Sequence, residues 1–172
     1  MALERRGAPL VLTLNFKGDI KRESRWVAQY GQFLCTLVAA MLIWRLDGDS
    51  RHTNAVWTVL IGVLGTSLLA TIIKRSLGRI RPGRDDAGQF LGPTFRHANF
   101  RESFPSAHSA CAVALTVILC HFYPGGAVIF WPLALTCAVL RYLMDAHWPS
   151  DVFGGIAMGY GAALVAIRLC AH

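Results

Sequence analysis

Three short stretches carry the residues able to do chemistry: "KRSLGRIRP" from Lys74 to Pro82, "PSAH" from Pro105 to His108, and "RYLMDAHWPSD" from Arg141 to Asp151. Lys74, Arg81 and Arg141 offer three cations, and a guanidinium can clamp phosphate through two parallel hydrogen bonds. Ser106 is placed to cap a helix, which would leave the backbone N–H groups of Ala107 and His108 directed at an anion and aided by the helix dipole. The small side chain of Ala107 lets a ligand come close to that backbone. His147 and Asp151 are four apart, with Pro149 near the first turn of a helix. Asp151 could accept a hydrogen bond from one ring nitrogen of His147, which fixes the tautomer and leaves the other nitrogen as a nucleophile. His108 could then protonate the leaving oxygen. Together these parts suit nucleophilic phosphoryl transfer.

No metal is expected in this scheme. The chain has ten Asp and Glu, and only Asp85 and Asp86 stand together, whereas a two-metal phosphatase needs several converging carboxylates. A zinc held by His147 with Asp151, or by His108 with His147, is the competing reading; the surrounding cations oppose it. Cys35, Cys111, Cys120, Cys137 and Cys170 all fall in apolar segments without metal-ligand spacing and read as packing residues. No cofactor and no nucleic-acid partner is expected. Arg75, Arg79 and Arg84 read as headgroup contacts or topology determinants, and Asp145 as a solvated loop acid.

The elements that must position these groups are membrane helices. Of 172 residues, 54% are hydrophobic and 16% charged, and five segments are long and apolar all round: about 26–46, 54–73, 106–123, 125–143 and 151–170. A soluble helical core would instead show amphipathic stripes. Trp26, Trp44, Trp57, Tyr123 and Trp148 lie near segment ends, where such rings favour the membrane interface. The expected fold is an all-α integral membrane bundle of about five transmembrane helices. Residues 1–25 form a basic segment, interfacial or solvated, and residues 26–172 the membrane-embedded domain. Gly155 and Gly159 form a Gly-x-x-x-Gly pair that permits close helix approach, within the bundle or in a dimer, with packing inside the bundle favoured. Counting crossings, span two ends, span three begins, and spans four and five meet on one side, so all three polar stretches face the same way.

These stretches, in order and at these spacings, resemble the type-2 phosphatidic acid phosphatase/haloperoxidase superfamily. Its pattern is Lys-x6-Arg-Pro, Pro-Ser-Gly-His and Ser-Arg-x5-His-x3-Asp; here Lys74 precedes Arg81-Pro82 by that interval, and Arg141, His147 and Asp151 keep the third spacing. The resemblance implies His147 as the nucleophile forming a phosphohistidine, Asp151 as its orienting partner and His108 as general acid. Lys74, Arg81, Ser106, Arg141 and the backbone of Ala107 would hold the phosphate. Three departures stand out: Ala107 replaces the motif glycine, Leu140 replaces its serine, and the membrane members usually have six spans.

The function these readings imply is a metal-independent phosphatase acting on a membrane lipid phosphate or diphosphate, with the bilayer and a phosphorylated lipid as partners. A lipid-linked phosphotransferase, a haloperoxidase and a non-enzymatic transporter or scaffold are the alternatives. The headgroup and the oligomeric state are not legible. The expected location is the bacterial cytoplasmic membrane. Outside the catalytic set, six Lys and Arg in the N-terminal segment and five from Arg75 to Arg101 lie on the site's side, against Arg45, Arg51 and Arg168 opposite. The positive-inside rule therefore expects a cytoplasmic site, whereas the family resemblance implies an extracytoplasmic one.

Overall fold

The computed structural model describes residues 27–46, 50–84, 86–93, 102–144 and 147–170, with the side chains of 46 and 50–52 set aside. The basic segment 1–25, Trp26 and Asp145 lie outside them. Among the described residues five α-helices follow one another: α1 (Phe33–Leu46), α2 (Ser50–Leu77), α3 (Ala107–Phe122), α4 (Ala127–Leu143) and α5 (Pro149–Cys170), with a short 3₁₀ turn at Pro124–Gly126 between α3 and α4. Among the described residues there is no strand, only the isolated bridges Arg79–Phe90 and Ile80–Glu102.

The bundle is organised around α3, which packs against α2, α4 and α5, while α1 lies against α2. Every residue of α3 from Ser109 to Leu119 is buried. Small residues make this possible. A Cβ on Gly155 would meet the carbonyl oxygen of Ser106 at 2.5 Å, and one on Gly159 would meet that of Ala110 at 2.1 Å. The glycine pair of α5 thus packs against α3 within the bundle, as the sequence suggested. Buried hydroxyls are satisfied without water: Thr58 and Thr66 donate to the carbonyls of Asn54 and Gly62 at 2.6 and 2.7 Å, and Thr116 donates to Phe130 at 3.2 Å.

The outer surface is apolar. Leu68, Val128, Phe153 and Leu169 are all exposed, as expected of side chains that meet lipid. Three helical stretches, Thr53–Leu77, Pro124–Leu143 and Pro149–Cys170, are long and apolar enough to cross a membrane. The chain is an integral membrane protein.

Two expectations need correction. The first span does not run as one helix from 26 to 46. Residues 28–32 form turns and α1 begins at Phe33. The cause is Gly31, which has a positive φ of 80° and sits so close to α3 that a Cβ would lie 2.4 Å from the Ala112 nitrogen. Apolar composition alone could not reveal that contact. With 14 and 16 residues, α1 and α3 reach about 21 and 24 Å, short of a hydrocarbon core of about 30 Å. The second correction concerns Trp148, whose ring is buried inside the protein, its indole N–H donating to the Ile80 carbonyl at 3.1 Å.

Candidate functional site

The second helix runs past residue 73 and carries Lys74 in its last turn. It stops at Gly78, whose positive φ of 58° allows its N–H to turn back to the Lys74 carbonyl at 2.8 Å. The chain then becomes a strap across the end of the bundle. Ile80 N–H donates to Gln89 and Gly88 N–H to Ile80, at 2.9 and 3.1 Å, and Ser103 N–H donates to the Arg79 carbonyl at 2.7 Å. This strap carries Arg79 and Arg81. Glu102, Ser103 and Ser106, on the approach to α3, are all buried.

Ser106 is the N-cap of α3, its hydroxyl accepting from the Ser109 N–H at 3.5 Å and pairing with the Ser109 hydroxyl at 2.9 Å. The first intrahelical bond runs from Ala110 N–H to the Ser106 carbonyl. The N–H groups of Ala107 and His108 precede it, the geometry that suits an anion. Ser106 N–H donates to the Asp151 carbonyl at 2.9 Å, which ties the opening of α3 directly to that of α5.

At that second opening Pro149 is the first helical residue and Asp151 lies in the first turn. Asp151 is fully buried. Its Oδ2 accepts from the Trp148 N–H at 2.9 Å, and its Oδ1 accepts from Arg79 Nη1 at 2.7 Å. His147 Nδ1 lies 3.6 Å from Oδ2, within ion-pair range but longer than the hydrogen bond expected from the sequence. Catalytic contacts of this kind commonly tighten only when substrate is bound. His147 is buried, and neither ring nitrogen has a hydrogen-bond partner among the described residues.

The three sequence stretches do converge. Lys74, Arg81, Arg141 and His147 all lie within electrostatic reach of His108, and Lys74, Arg81 and Arg141 within reach of His147. Burial pulls the His147 imidazole down to about 4; the three cations act in the same direction and Asp151 opposes them. At neutral pH the ring is therefore uncharged, as a nucleophile must be. Burial, followed by the neighbouring Arg141, also lowers the pKa of Arg81 below its ordinary value. Arg141 Nε is buried without a partner among the described residues. Donors left unmet in a buried cationic pocket are costly unless an oxyanion satisfies them.

Sequence reasoning missed two members of this site. By its sequence context Arg79 reads as a headgroup contact or topology determinant. It is instead buried against Asp151, with its guanidinium over the rings of Phe90 and Trp148. The available signal was the spacing in "GRIRP": after a helix-ending glycine, residues 79 and 81 of an extended chain share one face. Glu102 is the other. Its carbonyl accepts from Arg81 Nε at 3.0 Å, and its carboxylate pairs with Arg75 at 3.4 Å.

The sequence model of the PAP2 superfamily matches residues 55–171. The chain is 39% identical over 99 residues to the lipid A 1-phosphatase of Rhizobium etli, covering 56% of this chain and 42% of that protein. It is 34% identical over 88 residues to the decaprenylphosphoryl-5-phosphoribose phosphatase of Mycolicibacterium smegmatis, covering 50% of this chain and 44% of that one. The match thus spans less than half the length of these relatives. In fold, the chain is similar to the phosphatidylglycerolphosphate phosphatase of Bacillus subtilis, with a TM-score of 0.69 at 18% identity, covering 98% of this chain and 84% of the other. It is equally similar to Aquifex aeolicus LpxE, with a TM-score of 0.69 at 16% identity, covering 98% and 96%.

Proposed function

The chain belongs to the PAP2 superfamily, and on that premise we propose that it is a metal-independent phosphatase that hydrolyses a membrane lipid phosphate or diphosphate through a phosphohistidine. The observation that carries this reading is the buried His147, its Nδ1 3.6 Å from Asp151 and both ring nitrogens unpartnered among the described residues, in a pocket of cations. Because Nδ1 faces Asp151, Nε2 is the nucleophile. Its lone pair forms the N–P bond as the P–O bond to the lipid breaks, and His108, which takes up a proton once the anionic phosphate has entered among these cations, delivers that proton to the departing oxygen. Neutral His108 then takes a proton from water, whose oxygen attacks phosphorus. The P–N bond breaks, its electron pair returns to His147, and inorganic phosphate leaves. Lys74, Arg81, Arg141, the Ser106 hydroxyl and the N–H groups of Ala107 and His108 hold the phosphoryl oxygens while charge develops on them.

The substrate class follows from the setting: a phosphate at the end of an apolar bundle, on a molecule whose tail stays in the bilayer. The Rhizobium etli and Mycolicibacterium smegmatis relatives are named for phosphorylated lipids, which supports the same class here. The test is phosphate release by the purified protein in vesicles containing lipid A, phosphatidylglycerophosphate, a prenyl phosphate or a prenyl diphosphate. We expect release from at least one, undiminished by EDTA and suppressed by vanadate, which mimics the transition-state geometry. Loss of activity on chelation with recovery on adding zinc would establish the metal reading instead.

We place the protein in a bacterial cytoplasmic membrane with the site on the cytoplasmic face, on the positive-inside rule. Arg79 and Arg75, engaged with Asp151 and Glu102, drop out of that charge count, so the asymmetry rests mainly on the N-terminal segment. Cysteines introduced singly at Ser50 and Gln89, in a background lacking the five native ones, test this in intact cells. Protection of position 89 from an impermeant maleimide is expected. Labelling there with position 50 protected would put the site outside.

A further inference from the structure

We propose that Arg79 is a positioning residue for the nucleophile: by holding one oxygen of Asp151 it fixes the other toward His147 and limits how strongly that carboxylate can charge the imidazole. The inference rests on the phosphatase reading above. Arg79 is 5% exposed, and Nη1 donates both to Asp151 Oδ1 at 2.7 Å and to the Ser150 hydroxyl. Its guanidinium carbon sits 5.3 Å from the centre of the Phe90 ring and 5.5 Å from that of Trp148. The backbone is pinned as well, through the Arg79–Phe90 bridge and the bond from Ser103. The Trp148 indole, bonded to the Ile80 carbonyl, locks the strap onto the start of α5.

The consequence lies in how Asp151 divides its oxygens. With Oδ1 held by Arg79 and Oδ2 by the Trp148 N–H, the carboxylate has one orientation, and that orientation aims Oδ2 at Nδ1. A carboxylate paired with a guanidinium is also a weaker partner for an imidazolium than a lone one. Arg79 therefore orients His147 through Asp151 without touching the phosphate. The charged groups that face His147 are Lys74 of α2, Arg81 of the strap, His108 of α3, Arg141 of α4 and Asp151 of α5. All of them remain in an Arg79 variant, so a change in His147 titration reports Arg79 alone.

The experiment combines a titration and a mutant cycle. In labelled protein in micelles, the His147 imidazole resonance, assigned by its loss in H147Q, is followed against pH in wild type and R79Q. The midpoint is expected to rise by about one pH unit in R79Q. In vesicles, R79Q is expected to lower kcat about tenfold or more while KM changes less than about twofold, and R79K to recover part of the loss. R79Q combined with D151N should be no slower than D151N alone, because both act through the same contact. An unmoved midpoint, or losses that multiply in full, would overturn the inference. If R79Q does not fold, the same cycle with R79K decides. A wild type that releases no phosphate would sink the phosphatase reading, while the titration would still report on Arg79.

Discussion

Two helix openings lie side by side, that of α3 at Ser106–His108 and that of α5 at Trp148–Asp151, and they are finished in opposite ways. Both follow or contain a proline, and one backbone bond, from Ser106 N–H to the Asp151 carbonyl, joins them. The α3 opening is capped by a neutral hydroxyl, and no acid stands in its first turn. In α5 a carboxylate occupies the first turn, reaching back to the Trp148 N–H as an acid at the third position of a capping box does. Each helix N-terminus attracts negative charge. The α5 end is already filled by its own Asp151; the α3 end is not. On the phosphatase proposed above, the difference divides the roles: the phosphate would sit against α3, and the group that orients the nucleophile would belong to α5.

The most damaging change to this division is removal of the proposed nucleophile, His147, which lies just before α5. H147A should lower phosphate release from vesicles by about three orders of magnitude or more, as loss of a covalent nucleophile does. Retention of more than about a tenth of the wild-type rate would show that the attacking group lies elsewhere. The next test makes the two openings alike. S106D places a carboxylate on α3 while keeping a residue that caps helices well, so the fold should survive, but the incoming phosphate would meet a like charge. A fall in kcat/KM of about a hundredfold, carried mostly by KM, is expected from repulsion in a buried site. If S106A, which removes only the hydroxyl, costs as much, the cap rather than the open N-terminus would be what matters.

A smaller and selective effect should follow from removing the acid on the α3 side. H108A should slow a lipid phosphate by about a hundredfold, within the usual range for general acid catalysis. A p-nitrophenyl ester, whose leaving group needs little protonation, should lose much less. Equal losses on the two esters would mean that His108 only helps to hold the phosphate.

How much of this was legible in the sequence varies with the kind of contact involved. That His108, His147, Asp151, Lys74, Arg81 and Arg141 gather in one place was readable because titratable residues at the ends of apolar segments have few structural reasons to be there. The common side of the three stretches followed from counting crossings. Gly155 and Gly159 were readable from their spacing, and the packing against α3 agrees. What escaped depends on contacts between segments far apart in the chain. Arg79 meets Asp151 across 72 positions, and Gly31 breaks the first span only because Ala112 lies against it. Trp148 looks like an interfacial ring until the strap from Gly78 to Gly92 covers it. Local composition cannot carry that information.

The smallest expected effect concerns stability, and its sign distinguishes the two influences on His147. Asp151 alone would raise the imidazole pKa; burial and the nearby cations lower it, and they prevail, to about 4. An unfolded histidine titrates at about 6.5. Between those values the unfolded chain binds a proton that the folded chain refuses, so unfolding becomes easier as the pH falls. The contribution of a neutral His147 is fully present above about pH 6.5 and lost progressively toward pH 4. On lowering the pH from 7 to 5 in detergent, the apparent Tm of wild type should fall a few degrees further than that of H147Q, in which the other groups titrate as before. Parallel curves would show that His147 is no more reluctant to charge in the fold than out of it. A wild type that held its Tm better than H147Q would mean that the α5 carboxylate, and not the cations gathered for the phosphate, sets the charge of the nucleophile.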